Sequence, residues 1–253
     1  MLNRKELICV KFYFFFALKY DGDWLKIYQA LETKEKIAYE DLINIETKIT
    51  CRYVTIIDCE YPKSLCNIYR PPFVLFYVGD LAVLNGQKHK LAICGTTAPN
   101  KRGLMTTKML TKKILKRKIT LIVTSEPGVN ECVVKNLGNG SSILILKNLN
   151  DYEKMIKQYP NTKFQIIIAE AYQNNVNKSQ YELYRIMSGF MDGVIIVQST
   201  LDDETHRIVS LAKHDEKEVF CFPAQITVAN KNNGLIKDGA QLVENVDDIC
   251  GKL

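Results

Sequence analysis

No two of the eight cysteines have Cys-x-x-Cys spacing, and the three histidines form no His-Glu-x-x-His pattern. Zinc knuckles, thioredoxin-like redox motifs and zincin-type metal sites are therefore not written in the chain. Cys9, Cys94 and Cys221 sit inside apolar runs, where a free thiol is expected to be a small buried hydrophobe. That usage points to a reducing, cytoplasmic setting. Walker A and Gly-x-Ser-x-Gly patterns are also missing, as is any recognisable nucleophile–base pair. The expectation is a protein that is not an enzyme and needs no cofactor or metal. The run Phe12–Leu18 follows Arg4 and Lys5, but it lacks a small-residue cleavage site and is far too short to span a bilayer. It reads as a buried helix or strand of an N-terminal subdomain, and no membrane partner is expected.

What the chain does have is an ordinary globular balance: 47% hydrophobic and 25% charged residues over 253 positions. That suffices for one α/β domain with a small appendage. The formal charge of +6 permits a polyanionic partner without demanding one. Short apolar, β-branched runs recur at Tyr53–Ile57, Phe73–Tyr77, Leu91–Cys94, Ile119–Thr124, Ser142–Leu146, Phe164–Ala169, Gly193–Gln198 and Glu218–Phe222, with a closing strand at Gln241–Val243. Most are continuous rather than alternating, as in strands buried on both faces. Segments of helical length lie between them, notably Lys101–Lys118, Val129–Leu137, Asp151–Gln158, Ser179–Phe190 and Glu204–His214. The pattern predicts an α/β fold: a Rossmann-like, doubly wound, mostly parallel sheet over residues 51–253, with a small, mainly helical N-terminal region over residues 1–50.

One helical segment is chemically unusual. Residues 101–118 carry eight basic side chains and no acidic one. At about 100° per residue, Lys101, Lys108, Lys112 and Lys116 fall within an arc of about 80°. Leu104, Leu110, Ile114 and Leu115 cluster largely on the other side, suited to packing on the sheet. A solvated lysine face is one reading, and a sequence-independent phosphate track is the other.

Several motifs follow in a fixed order. Tyr61-Pro62 precedes a turn at Pro71-Pro72 and a Leu75-Phe76-Tyr77 strand that ends at Gly79. Gly95-Thr96-Thr97 is followed by Gly103, then Pro127-Gly128-Val129-Asn130, Arg185-Ile186-Met187-Ser188-Gly189, Val219-Phe220-Cys221-Phe222-Pro223 and Asn233-Gly234-Leu235-Ile236 with Gly239-Ala240. Over about residues 52–250 this series resembles the DprA/Smf family of DNA-processing proteins. The resemblance implies a single-stranded DNA binder that passes incoming DNA to a RecA-type recombinase and self-associates as a homodimer. It also implies the candidate contacts. Gly95, Thr96, Thr97, Gly128 and Asn130 would form turns whose backbone amides cradle phosphate. Lys101, Arg102, Lys108 and Lys112 would follow the backbone. Arg185 would pair with phosphate or stack on a base, with Tyr181 and Tyr184 as possible stacking neighbours.

The series also departs from the family. Thr97 stands in place of an arginine, and Leu183 and Tyr184 replace an arginine and an asparagine. Asp203-Glu204 replaces small residues at a helix start, where carboxylates repel phosphate or simply cap the helix. A diverged paralogue acting through protein partners only is thus an alternative. A nucleotide-processing enzyme of the LOG-like kind is another, although its Pro-Gly-Gly-x-Gly-Thr-x-x-Glu motif stops here after Pro127-Gly128.

Overall fold

The computed structural model describes residues 4–43, 45–173, 180–200, 205–225 and 231–253. Three helices come first: α1 (Arg4–Lys19), α2 (Trp24–Glu32) and α3 (Tyr39–Leu42). The chain then runs through β1 (Arg52–Thr55), β2 (Val74–Gly79), α4 (Ala82–Asn85), β3 (Lys90–Cys94), α5 (Lys101–Lys116), β4 (Thr120–Thr124), α6 (Val129–Val134) and β5 (Ser142–Ile145). It continues with α7 (Tyr152–Gln158), β6 (Ile166–Ala169), α8 (Gln180–Phe190), β7 (Gly193–Ile196), α9 (Thr205–His214), β8 (Glu218–Cys221), α10 (Asn232–Lys237), β9 (Gln241–Leu242) and α11 (Val246–Cys250).

Among the described residues the strands form one sheet in the order β1-β2-β6-β5-β4-β3-β7-β8-β9. From β6 to β9 every neighbouring pair is parallel, while β2 runs antiparallel to both β6 and β1. The continuous apolar runs are explained by this arrangement. β3, β4, β5, β6 and β7 are buried along their whole length because helices cover both faces. One face packs Leu91, Ile93, Leu121 and Leu144 under α1, α2, α5 and α6; the other packs Ala92, Cys94, Ile122 and Ile143 under α8 and α9.

The Phe12–Leu18 run is helical and lies within α1. Phe14, Phe16 and Ala17 share the first apolar cluster with Phe76 and Leu91 of the sheet, so the N-terminal helices complete the sheet's own core. Two local expectations fail. Cys9 is exposed, whereas Cys94 and Cys221 are buried. Leu104 is 40% exposed, because it falls one residue outside the stripe of Thr107, Leu110, Thr111 and Ile114 that α5 buries.

The chain winds from β3 outward through β4, β5 and β6, then returns to the other side of β3 for β7, β8 and β9. The winding reverses between β3 and β7, and the crevice beyond the carboxyl ends of these two strands is where an open α/β sheet binds ligands.

Candidate nucleic-acid interface

The loop after β3 is drawn tightly against the end of β7. Thr96 donates its N–H to the Gln198 carbonyl at 2.7 Å. A Cβ on Gly95 would sit 2.5 Å from that oxygen and 2.7 Å from a Val129 methyl, so only glycine fits. Gly128 has φ +82°, and a Cβ there would lie 2.4 Å from the Thr96 carbonyl. These two glycines let the β3 and β4 turns touch. Gly103, in the first turn of α5, meets the Gln198 side chain in the same way, at 2.3 Å from Oε1.

The expected amide cradle is largely consumed from within. Gln198 Oε1 accepts from the Asn100 N–H at 3.1 Å, and Asn100 Oδ1 accepts from the Gly103 N–H at 2.8 Å. Thr96 Oγ1 takes the Ala98 N–H at 3.3 Å. The amides of Thr97, Lys101 and Arg102 have no protein acceptor among the described residues. Sequence reasoning missed Gln198, which reads only as the last residue of an apolar strand run.

What remains open is a cleft of about 280 Å³ at the switch point. Its lining includes Asn100, Arg102, Gly103 and Thr106 from α5, Gln198 after β7, and Phe222-Pro223-Ala224 after β8. Two asparagines at the start of α10 hold this wall. Asn232 Oδ1 accepts from the Ser199 N–H and hydroxyl, and its Nδ2 donates to the Val197 and Phe222 carbonyls. Asn233 brackets Ala224 through both its N–H and its carbonyl, each at 2.9 Å. Asn232 thus fastens the β8 exit to the β7 exit, and Asn233, which opens the Asn233–Ala240 motif, holds only the β8 exit.

From the rim of that cleft the basic face of α5 runs back over the sheet toward the amino ends of the strands. Lys101, Arg102, Lys108, Lys112 and Lys116 are all exposed, and none has a carboxylate partner among the described residues. Met105 and Met109, exposed by 65% and 40%, lie on the same face. Such a face offers positive charge to a polyanion and adaptable apolar contact between the charges.

Three candidates are not on this surface. Thr96 is buried, with both its amide and its hydroxyl engaged within the loop. Asn130 is 3% exposed and donates from Nδ2 to the Thr124 hydroxyl at 3.0 Å, so it fastens the β4 turn from inside. Arg185 lies at the expected edge of the sheet, yet its side chain is only 1% exposed. It bonds to Glu170 at 2.5 Å, to Glu182 at 3.1 Å and to the Arg70 carbonyl. Burial works against its charge, but Glu170 and Glu182 beside it outweigh burial and hold its pKa above the ordinary value. Arg185 is therefore corrected from a contact to a strut, since a guanidinium closed in by two carboxylates does not reach solvent. Tyr184 is buried too. The side chain of Tyr181 and the Asp203-Glu204 pair lie outside the described residues. Also among the described residues, no three ligating side chains converge to hold a metal ion, and no helix is long and apolar enough to cross a membrane.

A doubly wound α/β protein with an open cleft at the carboxyl edge, and a basic helix that starts there with no carboxylate partners among the described residues, is the class these features define. The chain belongs to the DNA recombination-mediator protein A family, whose model matches residues 52–253. It is 26% identical over 204 residues to the DNA processing protein DprA of Bacillus subtilis (strain 168), covering 77% of this chain and 68% of that protein. With DprA of Streptococcus pneumoniae (strain ATCC BAA-255 / R6) the identity is 23% over 208 residues, covering 78% and 73%. The X-ray structure of Streptococcus pneumoniae DprA shares the fold, with a TM-score of 0.69 at 18% identity over 92% of this chain and 93% of that one. DNA processing protein A from Helicobacter pylori, whose structure addresses its single-stranded DNA binding mode, aligns with a TM-score of 0.66 at 23% identity, over 79% and 94%.

Proposed function

We propose that this chain binds single-stranded DNA along the carboxyl edge of its sheet without catalysing a reaction on it. In that role it would deliver the strand, as a homodimer, to a RecA-type recombinase in the cytoplasm. The observation that carries the reading is the unpaired basic face of α5, which begins at the switch-point cleft. Lys101, Lys108 and Lys112 supply point charges for phosphates, Arg102 lines the cleft, Thr97 is exposed on the turn after β3, and Gly95 and Gly128 allow the close turns beneath them.

Fluorescence anisotropy with labelled oligonucleotides over a salt series tests it. Four lysine–phosphate contacts give a log–log slope of about −2.8, at roughly −0.7 per contact on a single strand. The double variant Lys108→Glu/Lys112→Glu should flatten that slope by about 1.4 on the same basis. A flat response in the wild type removes the phosphate track. Adding the recombinase to strand already coated with this protein tests delivery.

A second reading has one specific support. Two of the cradle amides, those of Asn100 and Gly103, are occupied by the Gln198 and Asn100 side chains, while Leu104, Met105 and Met109 are exposed. Both suit a paralogue that meets a protein partner through α5 and has lost affinity for DNA. Absence of oligonucleotide binding at low salt would favour it.

A further inference from the structure

On the same edge of the sheet, four strand positions from β3, lies a second feature that the sequence motifs did not assign. β2 runs antiparallel to β6, so the turn before β2 sits beyond the carboxyl end of β6. Pro71 and Pro72 have no N–H to give, and three consecutive carbonyls at this turn are each held by a side chain from a different part of the fold. Arg185 of α8 donates to the Arg70 carbonyl, Trp24 Nε1 of α2 to the Pro71 carbonyl at 2.9 Å, and the Tyr61 hydroxyl to the Pro72 carbonyl at 2.7 Å. Arg70 itself is left-handed, with φ +56°, a conformation that persists in a non-glycine residue where its surroundings over-determine it.

That clamp carries an aromatic column. Tyr13, Phe73, Trp24 and Tyr28 stack in series, with centroids 5.8, 5.3 and 5.1 Å apart. The outer ring, Tyr28, is 44% exposed. Beside it the Arg70 guanidinium lies over Trp24 at 5.4 Å and over Tyr69 at 4.8 Å, and Tyr69 is 51% exposed. Arg70 has no carboxylate partner among the described residues. Rings that end in an open face, next to an uncompensated planar cation, suit the π-face of a nucleobase next to its phosphate.

We infer that Tyr28, Tyr69 and Arg70 form a base-stacking platform for single-stranded DNA, separate from the lysine face of α5. The inference rests on the proposed DNA binding and adds a second subsite to it. α1, α2 and α5 cover the same face of the sheet, and four strand spacings put the platform about 20 Å from the start of α5. One strand that crosses the edge from the platform to the start of α5 can continue down its lysine face. Arg185 then serves as a positioning residue, because its bond to the Arg70 carbonyl fixes the peptide from which that guanidinium projects.

The discriminating measurement compares an oligothymidine with an abasic strand of equal length and phosphate number, by anisotropy. Both strands engage the lysine face, and only the first has rings to stack. Wild type should bind the base-bearing strand more tightly by about five- to a hundredfold, the range for one base on one aromatic ring. Tyr28→Ala and Tyr69→Ala should lose most of that preference and keep their abasic affinity, and Tyr28→Phe should retain it. Equal affinity of wild type for the two strands, or an undiminished preference in both alanine variants, overturns the platform and leaves the lysine track standing. Failure of both strands to bind overturns the platform together with the DNA reading.

Discussion

Replacing Arg185 separates a strut from a contact. Its side chain is 1% exposed and the Glu170 carboxylate 6% exposed, so Arg185→Ala takes the guanidinium away from a buried carboxylate. Removing one partner of such a pair costs about 3–5 kcal/mol. For a domain of this size each kcal/mol moves Tm by about 2–4 °C, which puts the expected fall at roughly 6–20 °C. The loss comes from breaking a buried ion pair, so Glu170→Gln in an Arg185→Met background should recover part of it. The assay is thermal melting by circular dichroism, run beside anisotropy on the abasic strand at a temperature where every variant is folded. Abasic affinity per folded molecule should match wild type, because Arg185 does not face the lysine track. Preference for the base-bearing strand should fall, since Arg70 loses its anchor. A variant that melts with wild type and no longer binds the abasic strand would refute this reasoning and return Arg185 to the contact surface.

Two further outcomes follow from burial. The Cys94 and Cys221 thiols are pushed up to about 12 by desolvation, against about 8.5 for an unfolded thiol. Their contribution to stability is full below about pH 8.5 and is lost as pH rises toward about 12. At mildly alkaline pH, peptide mapping after brief alkylation should find exposed Cys59 and Cys66 modified and Cys94 intact; equal labelling would mean that the β3 core opens readily. Trp24, the only tryptophan, lies one ring beneath Tyr28. Its emission should fall on saturation with the base-bearing strand and hold steady with the abasic one, and an identical response to both would count against stacking at Tyr28.

The fold was legible because burial on both faces leaves a direct mark in sequence. A strand covered by helices on either side is apolar almost throughout, as Leu91–Cys94 and Ile166–Ala169 are, and the Thr120–Thr124 strand adds only small, β-branched threonines at its ends. Glycine positions were legible for a related reason. Gly95 and Gly128 are forced by close backbone approach, and a strand–glycine–helix corner announces that need locally. The lysine face of α5 was readable because helical periodicity alone decides which side chains share an arc. Leu104 fell outside that logic, since hydrophobicity does not say where the edge of a buried stripe ends.

Direction of exposure is what a linear reading could not supply. Arg185 and Arg70 are both arginines beside aromatic residues, and Arg185 stands where the family resemblance implies contact. Their fates are decided by Glu170, a residue with no motif of its own, which comes to the carboxyl end of β6 and draws Arg185 inward. Once Arg185 is consumed, its remaining donor fixes the Arg70 carbonyl, and the arginine left half-buried rather than buried is the one whose backbone is clamped. The same logic applies at the cleft, where the Gln198 side chain takes an amide that a phosphate would otherwise find at the start of α5. In both places a polar side chain arriving from a distant strand end redirects a group whose own sequence neighbourhood suggested something else.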